Sequence, residues 1–447
     1  MSYKGGVFGP IKCSVQVDTI GKECIENDKH LYKYKDTVGI PPLGMVDDLL
    51  AVAECGVDSV LTNSYINAKT KIKKLQFGVD KCHKIHIGSN HNKCPLLYVD
   101  HWKEVKNIET DETVDKCEDL SEIDASREEK YLGDIITNDG KNTKNIESRM
   151  AKGQGNIDQV MSILEEICFG QYQFEAAVLL RNSLLISSLL TNSEAWHNVT
   201  TRDIENLESI DEKLLRRILE APITTPKEML YLELGCCPIR FLIKQRRIMF
   251  LQYILKQEED SLIYQVLEAQ YKNPTKNDWI LEVLENLQDF NIEQPFEEIM
   301  NMSKDKFKSI VTTASEKKAL EYLNKVKMKH SKVRHIKHKS LELQCYLEPE
   351  NVNSVQDSKF TFLIRTRMLD IKNNFENKYK DQNCIACEKE TETQEHILKC
   401  KKLSDGNLLI GTLPKYEDIF GTNMEKISTI SSIMKSCYSI RRKFLKK

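Results

Sequence analysis

The sequence predicts an α+β protein in which strands and helices are segregated along the chain. Three observations predict it. Short strand-like runs bounded by turn residues are concentrated in residues 1–100. From Asn142 onward, apolar residues recur at three- and four-residue spacing, the period of amphipathic helices. Near the C-terminus a compact Cys/His cluster marks a module too small to have a core of its own. The chain has 447 residues, enough for two to four domains, and its 18 Gly and 11 Pro are few enough for helix to dominate.

Gly39 to Val46 and Leu49 to Ala53 read as two strands joined at Asp47-Asp48. Asp58 to Leu75 reads as a helix, and Leu75–Gly78 with Lys84–Ile87 as a return to strand. Nine Asp or Glu fall between Asp111 and Glu129. That density predicts an exposed acidic connector over 103–130. Tyr131–Ile136 is a short strand and Asn138-Asp139-Gly140 a turn. Helices are expected over Ile146–Phe169, Phe174–Leu190 and Asp203–Leu219. Another should open at Thr225-Pro226-Lys227-Glu228, with Thr225 as N-cap, Pro226 first in the helix and Glu228 closing a capping box, and stop at Gly235. Ile239, Leu242, Ile243, Arg246, Met249, Phe250, Tyr253 and Ile254 share one face of the next helix. Residues 260–345 are helical with weaker patterning.

The composition is globular, 40% hydrophobic and 30% charged, with a formal net charge of −2. A protein coating itself in nucleic acid would be strongly basic, so any such contact here uses local patches. The N-terminus has no apolar signal core. The longest apolar stretch, Ala176 to Leu190, carries Arg181 and Asn182 and is too short to span a bilayer. An intracellular protein, nuclear or cytoplasmic and without membrane contact, is expected. Its 14 cysteines are then thiols or metal ligands.

Four constellations carry chemistry. Asp47 and Asp48 lie between apolar stretches. Two like charges ~4 Å apart repel by roughly 4 kcal/mol at an effective dielectric of about 20, which invites a cation such as Mg²⁺. A solvated turn is the ordinary alternative. Cys384, Cys387, His396 and Cys400 have the spacing C-x2-C-x8-H-x3-C, two half-sites of a tetrahedral zinc centre. With all four ligands supplied by the chain, such a site is structural. Cys82, His83, His86, His91 and Cys94 have suitable donors but no paired spacing, which favours ordinary half-buried side chains. The run 325–339 alternates cations with Val, Met and Ile. Lys325, Lys327, Lys329, Lys332, Arg334, Lys337 and Lys339 are candidates for gripping nucleic-acid phosphates, or else form a solvated helical face. Arg240, Lys244, Arg246 and Arg247 divide between the same two readings.

Several segments line up in order: Gly5-Gly6-Val7-Phe8-Gly9-Pro10, Met45-Val46-Asp47-Asp48, Leu75–Cys82 and Lys130-Tyr131-Leu132-Gly133. Asn192-Ser193-Glu194-Ala195-Trp196 and Leu363–Met368 follow, the last leading into the Cys/His module. This succession resembles the later palm motifs, post-palm helices and C-terminal zinc region of non-LTR (LINE-type) retrotransposon reverse transcriptases. The resemblance implies metal-assisted RNA-directed DNA polymerisation. Asp47 and Asp48 would hold catalytic Mg²⁺, Lys81 would protonate the leaving pyrophosphate, and Gly5, Gly6 and Pro10 would position template and nucleotide. Tyr131, Leu132 and Gly133 would form the primer grip. It also implies an organisation: partial palm 1–135, helical thumb 136–260, helical extension with the basic run 261–345, CCHC zinc module 346–405 and basic tail 406–447. RNA template and DNA primer or target DNA would be the partners.

The pattern departs from that family at two points: Met45 stands where Tyr or Phe is usual, and Lys4 where Gln is usual. The family's other metal-binding Asp precedes the Gly-rich segment, at which this sequence begins. The expectation is a truncated palm, inactive alone, with an upstream polypeptide as a possible partner for the missing strand. The alternative is a non-catalytic RNA- or DNA-binding remnant that uses the thumb helices, basic run and zinc module.

Overall fold

The computed structural model describes residues 19–24, 31–45, 48–73, 75, 77–87, 95–106, 113–167, 169–404 and 415–445, without the side chains of residues 79 and 101–119. Gly5, Gly6, Pro10, Asp47, His91 and Cys94 lie outside that set. Among the described residues helix greatly exceeds strand and both are present, so the α+β class holds. The chain divides into two compact units, one of residues 1–145, 195–199 and 250–284, the other of 146–194, 200–249 and 285–447. Among the described residues, no helix is long and apolar enough to cross a membrane.

The first unit is built from short two-stranded ribbons. Strand β1 (Tyr32–Tyr34) pairs with β2 (Val38–Ile40), and the ribbon is tied down by Tyr34 Oη and Lys35 Nζ on Asp278, at 3.1 and 2.7 Å. Strand β3 (Leu43–Met45) pairs with β4 (Asp48–Leu50), Met45 facing Asp48. The helix Gly56–Ile72 follows, and Asn63 and Asn67 each donate to the Tyr98 carbonyl, at 2.7 and 2.8 Å. Strand β5 (His83–Ile85) runs parallel to β8 (Asp124–Ser126).

The expected acidic connector is instead a long antiparallel hairpin, β6 (Tyr98–Lys106) with β7 (Thr113–Glu122). Acidity marks solvent exposure, and it is silent about whether the backbone is paired. Val99 and Ile123 at the hairpin's base are buried, which is the apolar anchor that the density of Asp and Glu conceals. The next hairpin, β9 (Glu128–Tyr131) with β10 (Asp134–Thr137), turns at Leu132 and Gly133. Both have positive φ, +48° and +92°, the twist that a two-residue hairpin loop requires.

The second unit is helical. Gly153, in the helix Thr143–Glu166, allows close approach of neighbouring elements: a Cβ there would lie 2.7 Å from Leu189 and 3.0 Å from Ile210. The helical run 173–189 widens into a π turn over Arg181–Ile186. Buried Arg181 there makes a two-pronged pair with buried Asp211, at 2.7 and 2.6 Å. Asp211 belongs to the helix Thr201–Leu219, which is capped reciprocally by Thr200 and Asp203.

The helix Lys227–Leu234 is the centre of this unit, buried at every position from Glu228 to Leu234. Its expected capping box is absent. Pro226 is itself the N-cap, no side chain caps the helix, and Glu228 is drawn inward toward His330 at 3.4 Å. The stop at Gly235 is as expected, in left-handed geometry at φ +64°. A Cβ there would meet the backbone of Glu342 and Leu343 at 2.3–2.7 Å, because the strand-like bridge Leu234–Leu343 brings that segment against the helix end. The helix Ile239–Leu255 departs from its single-stripe reading. Its residues from Phe250 on belong to the first unit; Phe241, Ile248, Leu251 and Leu255 are buried as well, and Tyr253 is exposed, so the buried positions do not form a single apolar stripe.

Glu233 lies on the central helix with no solvent exposure. Its carboxylate accepts from Arg365 (3.0 Å), Tyr346 (2.8 Å) and His338 (3.1 Å). Burial pushes its pKa up, but Arg365 and His338 outweigh burial and hold it down at about 2. Its stabilising contribution is therefore complete above the ordinary value of 4.5 and is lost as pH falls toward 2. Glu233→Ala should cost about 3–5 kcal/mol in urea unfolding at neutral pH, by leaving Arg365 buried and unpaired. Glu233→Gln should flatten the loss of stability between pH 4.5 and 2; an unchanged acid limb would contradict this assignment.

Candidate metal centre

Residues 383–400 fold as a small hairpin followed by a six-residue helix. Asn383 bridges Thr391, and the Cys384 amide donates to the Glu390 carbonyl at 2.7 Å, so the loop 384–390 turns back on itself. Glu388 takes φ +61°, and its amide donates to the Cys384 carbonyl at 2.8 Å, which sets Cys384 and Cys387 side by side. Thr393 caps the helix Gln394–Lys399 by accepting the His396 amide at 3.0 Å. His396 and Cys400 are then one turn apart on a single face.

The four donor atoms lie within 4.8 Å of one another, so Cys384, Cys387, His396 and Cys400 could hold a metal ion. Cys384 Sγ is 3.9 Å from Cys400 Sγ, and Cys387 Sγ is 3.3 Å from His396 Nε2. A tetrahedron with bonds of about 2.3 Å to sulfur and 2.0–2.1 Å to nitrogen has edges of roughly 3.5–3.8 Å, close to both distances. His396 Nδ1 lies 3.0 Å from Glu390 Oε2, the carboxylate contact that orients a ligating imidazole through its far nitrogen. Burial pushes the Cys387 thiol up, but the amides of Lys389 and Glu390 and the neighbouring Cys384 and His396 bring it down to about 6. Burial drives Cys384 to about 12. A divalent ion here would require the three cysteines as thiolates and the His396 ring neutral, so its binding would release protons.

The other candidates are placed as follows. Asp48 is exposed on β4, and Tyr131 of the next hairpin reaches its ribbon, Oη donating to the Leu43 carbonyl at 3.3 Å. Burial and the charge of Asp48 raise the Tyr131 pKa. Lys81 lies in a short turn, Val79–Lys81, ahead of β5. Among the described residues, the Cys/His quartet is the only group of three or more metal-ligating side chains. Cys82 and His83 are engaged elsewhere, Cys82 with the Gly78 carbonyl at 3.4 Å and His83 with Glu129 at 3.4 Å.

The basic run is divided. Lys325, Lys329, Arg334, Lys337 and Lys339 are exposed. Lys327 is withdrawn from that set: it is 1% exposed and bonded to Asn324 (2.9 Å), the Ile336 carbonyl (2.6 Å) and His338 (3.0 Å). Lys332 is half-buried on the Asn374 carbonyl. Arg240 pairs with Glu208 at 2.8 and 2.7 Å, Lys244 with Asp289 at 2.8 Å, Arg246 donates to the Leu190 carbonyl and Arg247 is buried. Arg240 and Lys244 join helices by ion pairs, Arg246 holds the carbonyl at the end of the helical run 173–189, and Arg247 is withdrawn from the surface. Sequence reasoning missed the roles of Glu392 and Arg441, which hold the metal loop from behind, and of Gln394, which fixes the start of the helix that carries His396. No spacing marks them, since Arg441, Ile364 and Tyr416 are remote from their partners in the chain.

The full chain purified with zinc should retain one equivalent through gel filtration. Cys387→Ser and His396→Ala should each lose it and lower the melting temperature, while Glu390→Gln should weaken binding about tenfold. Retention of the metal by both ligand variants would rule this centre out.

No protein-family model matches the chain, and no curated protein matches it.

Proposed function

We propose that this chain belongs to a reverse-transcriptase-type polymerase of a non-LTR retroelement and acts on an RNA template with a DNA primer or target. The observation that supports the reading is an order within its first unit: the β3–β4 hairpin with Asp48 opening its second strand, a helix, a strand after Lys81, the long β6–β7 hairpin, then the β9–β10 hairpin whose Tyr131 bonds the Leu43 carbonyl of the Asp48 hairpin. That order matches what the motif resemblance implies for the later half of a palm, and a helical unit follows it, as a thumb would.

In this reading Asp47 and Asp48 would be the residues that hold Mg²⁺, whose chemistry when bound is that of a Lewis acid toward the primer hydroxyl and the transferred phosphate. Asp48 opens β4, exposed at that position. Tyr131 ends β9 at the tight turn of Leu132 and Gly133, and its hydroxyl reaches the Asp48 hairpin; in this reading the three residues bear on a primer backbone. Zinc in the Cys384, Cys387, His396, Cys400 centre is structural, since a closed four-ligand shell has no position for water.

A second reading, nucleic-acid binding without polymerisation, is favoured by the five exposed cations of the 325–339 run. Primer extension on an RNA template with Mg²⁺ separates the two. Incorporation abolished by Asp47→Asn or Asp48→Asn supports polymerisation. Incorporation unaffected by both overturns the role of the Asp pair, and RNA binding without incorporation supports the second reading. In either case, replacing Lys325, Lys329, Arg334, Lys337 and Lys339 by Gln should weaken RNA binding at low salt and flatten its dependence on log salt by up to about 0.7 for each phosphate no longer neutralised. An unchanged slope would remove this face from the interface.

A further inference from the structure

The loop that carries Cys384 and Cys387 is held by a carboxylate, and that carboxylate is held by the last helix of the chain. Glu392 has no exposure. One of its oxygens accepts the amide of Ile385, between the two cysteines, at 3.1 Å. The other accepts the amide of Lys372 at 3.0 Å and two bonds from Arg441, at 2.9 and 2.6 Å. Arg441 is also fully buried. It stands on the helix Met424–Phe444, whose Ile427, Ile430, Met434 and Cys437 are buried on the same side.

An ionised carboxylate without water needs a cation, and Arg441 is the cation that reaches Glu392. If Arg441 is removed, Glu392 loses the two bonds that fix its buried carboxylate in place. That weakens its hold on the Ile385 amide and thus on the spacing of Cys384 and Cys387. The adjacent Gln394 adds a second attachment: it donates to the Ile364 carbonyl at 3.1 Å and to Tyr416 at 2.9 Å, and accepts from Asn374 at 3.0 Å.

We infer that Arg441, acting through Glu392, is a positioning residue for the metal centre, and that metal binding and docking of the C-terminal helix stabilise each other. The coupling is reciprocal, as any linkage between two binding equilibria must be. The inference rests on the zinc reading above, and a wild-type chain that takes up no zinc would count against that reading rather than against the coupling.

The test is zinc affinity by chelator competition on the full chain. Arg441→Gln and Glu392→Gln should each weaken zinc by about tenfold or more, the range seen when an outer partner of a metal ligand is removed. The double variant should be no weaker than either single one, and Arg441→Lys should restore part of the affinity. Met434→Ala separates the two parts: it loosens the docking of the same helix without removing Arg441 from Glu392, and should weaken zinc by less than Arg441→Gln does. Equal weakening by Met434→Ala, additive single effects or unchanged affinity in Arg441→Gln would each overturn the proposal. Should Arg441→Gln fail to fold, hydrogen exchange on the wild type decides. Zinc removal should expose amides of 424–444 while those of 201–219 stay protected; equal loss in both, or none in 424–444, overturns it.

Discussion

A carboxylate sealed from water must be neutralised by the chain itself, and Glu233 imposes that condition on the helical unit. Its lone pairs are filled by Arg365 from the helix Val355–Arg365, by Tyr346 from the preceding turn and by His338 from the end of the basic run. His338 in turn faces Lys327 at 3.0 Å, and Arg365 also reaches the Ile419 carbonyl. Segments as far apart in the chain as Glu233 and Ile419 are therefore joined through Arg365. Each is apolar enough to join a core in several ways, but one arrangement fills every bond, and a half-filled one leaves a buried charge that costs several kcal/mol.

The same device recurs twice. Arg181 pairs with Asp211 where the π turn meets the capped helix, and Arg441 with Glu392 where the last helix meets the metal loop. All three pairs are sealed, and each joins elements distant in sequence. Replacing such pairs by well-packed apolar residues is often neutral or stabilising, so stability alone is a weak account of them. Arginine suits the role because its planar fork makes several bonds from one side chain and stays charged when buried. In each case the fork takes a carboxylate and at least one other acceptor or ring: the Cys237 carbonyl for Arg181, the Ile419 carbonyl for Arg365, the Tyr438 ring for Arg441.

What could be read from the sequence follows from this. The four metal donors were legible because their spacing is local, and local spacing fixes local geometry. Gly235 was legible for the same reason, as were the turn at Asn138–Gly140 and the existence of the helices between 143 and 327. The roles of Arg240, Lys244, Lys327 and Arg441 were not, because a cation looks the same in sequence whether it faces solvent, a phosphate or a carboxylate far away in the chain. The acidic hairpin 98–122 failed from the opposite direction: charge density outweighed the few apolar residues at its base. The helix Ile239–Leu255 failed because its buried positions form no single stripe for periodicity to report.

The basic run shows how the internal constraint bears on the surface. Val333 and Ile336 are buried against Met229, and Lys327 and His338 are drawn into the Glu233 network, so four of the fifteen residues in 325–339 point inward. The chain between them is pinned at each end and in the middle. The exposed Lys325, Lys329, Arg334, Lys337 and Lys339 therefore stand on a backbone whose ordering cost is already met by folding. A disordered tail of equal charge would have to meet that cost, about 1–2 kcal/mol per residue fixed, on meeting a polyanion. The buried cation that sequence reasoning placed on the binding face contributes by holding that face in shape, and its own charge is spent inside.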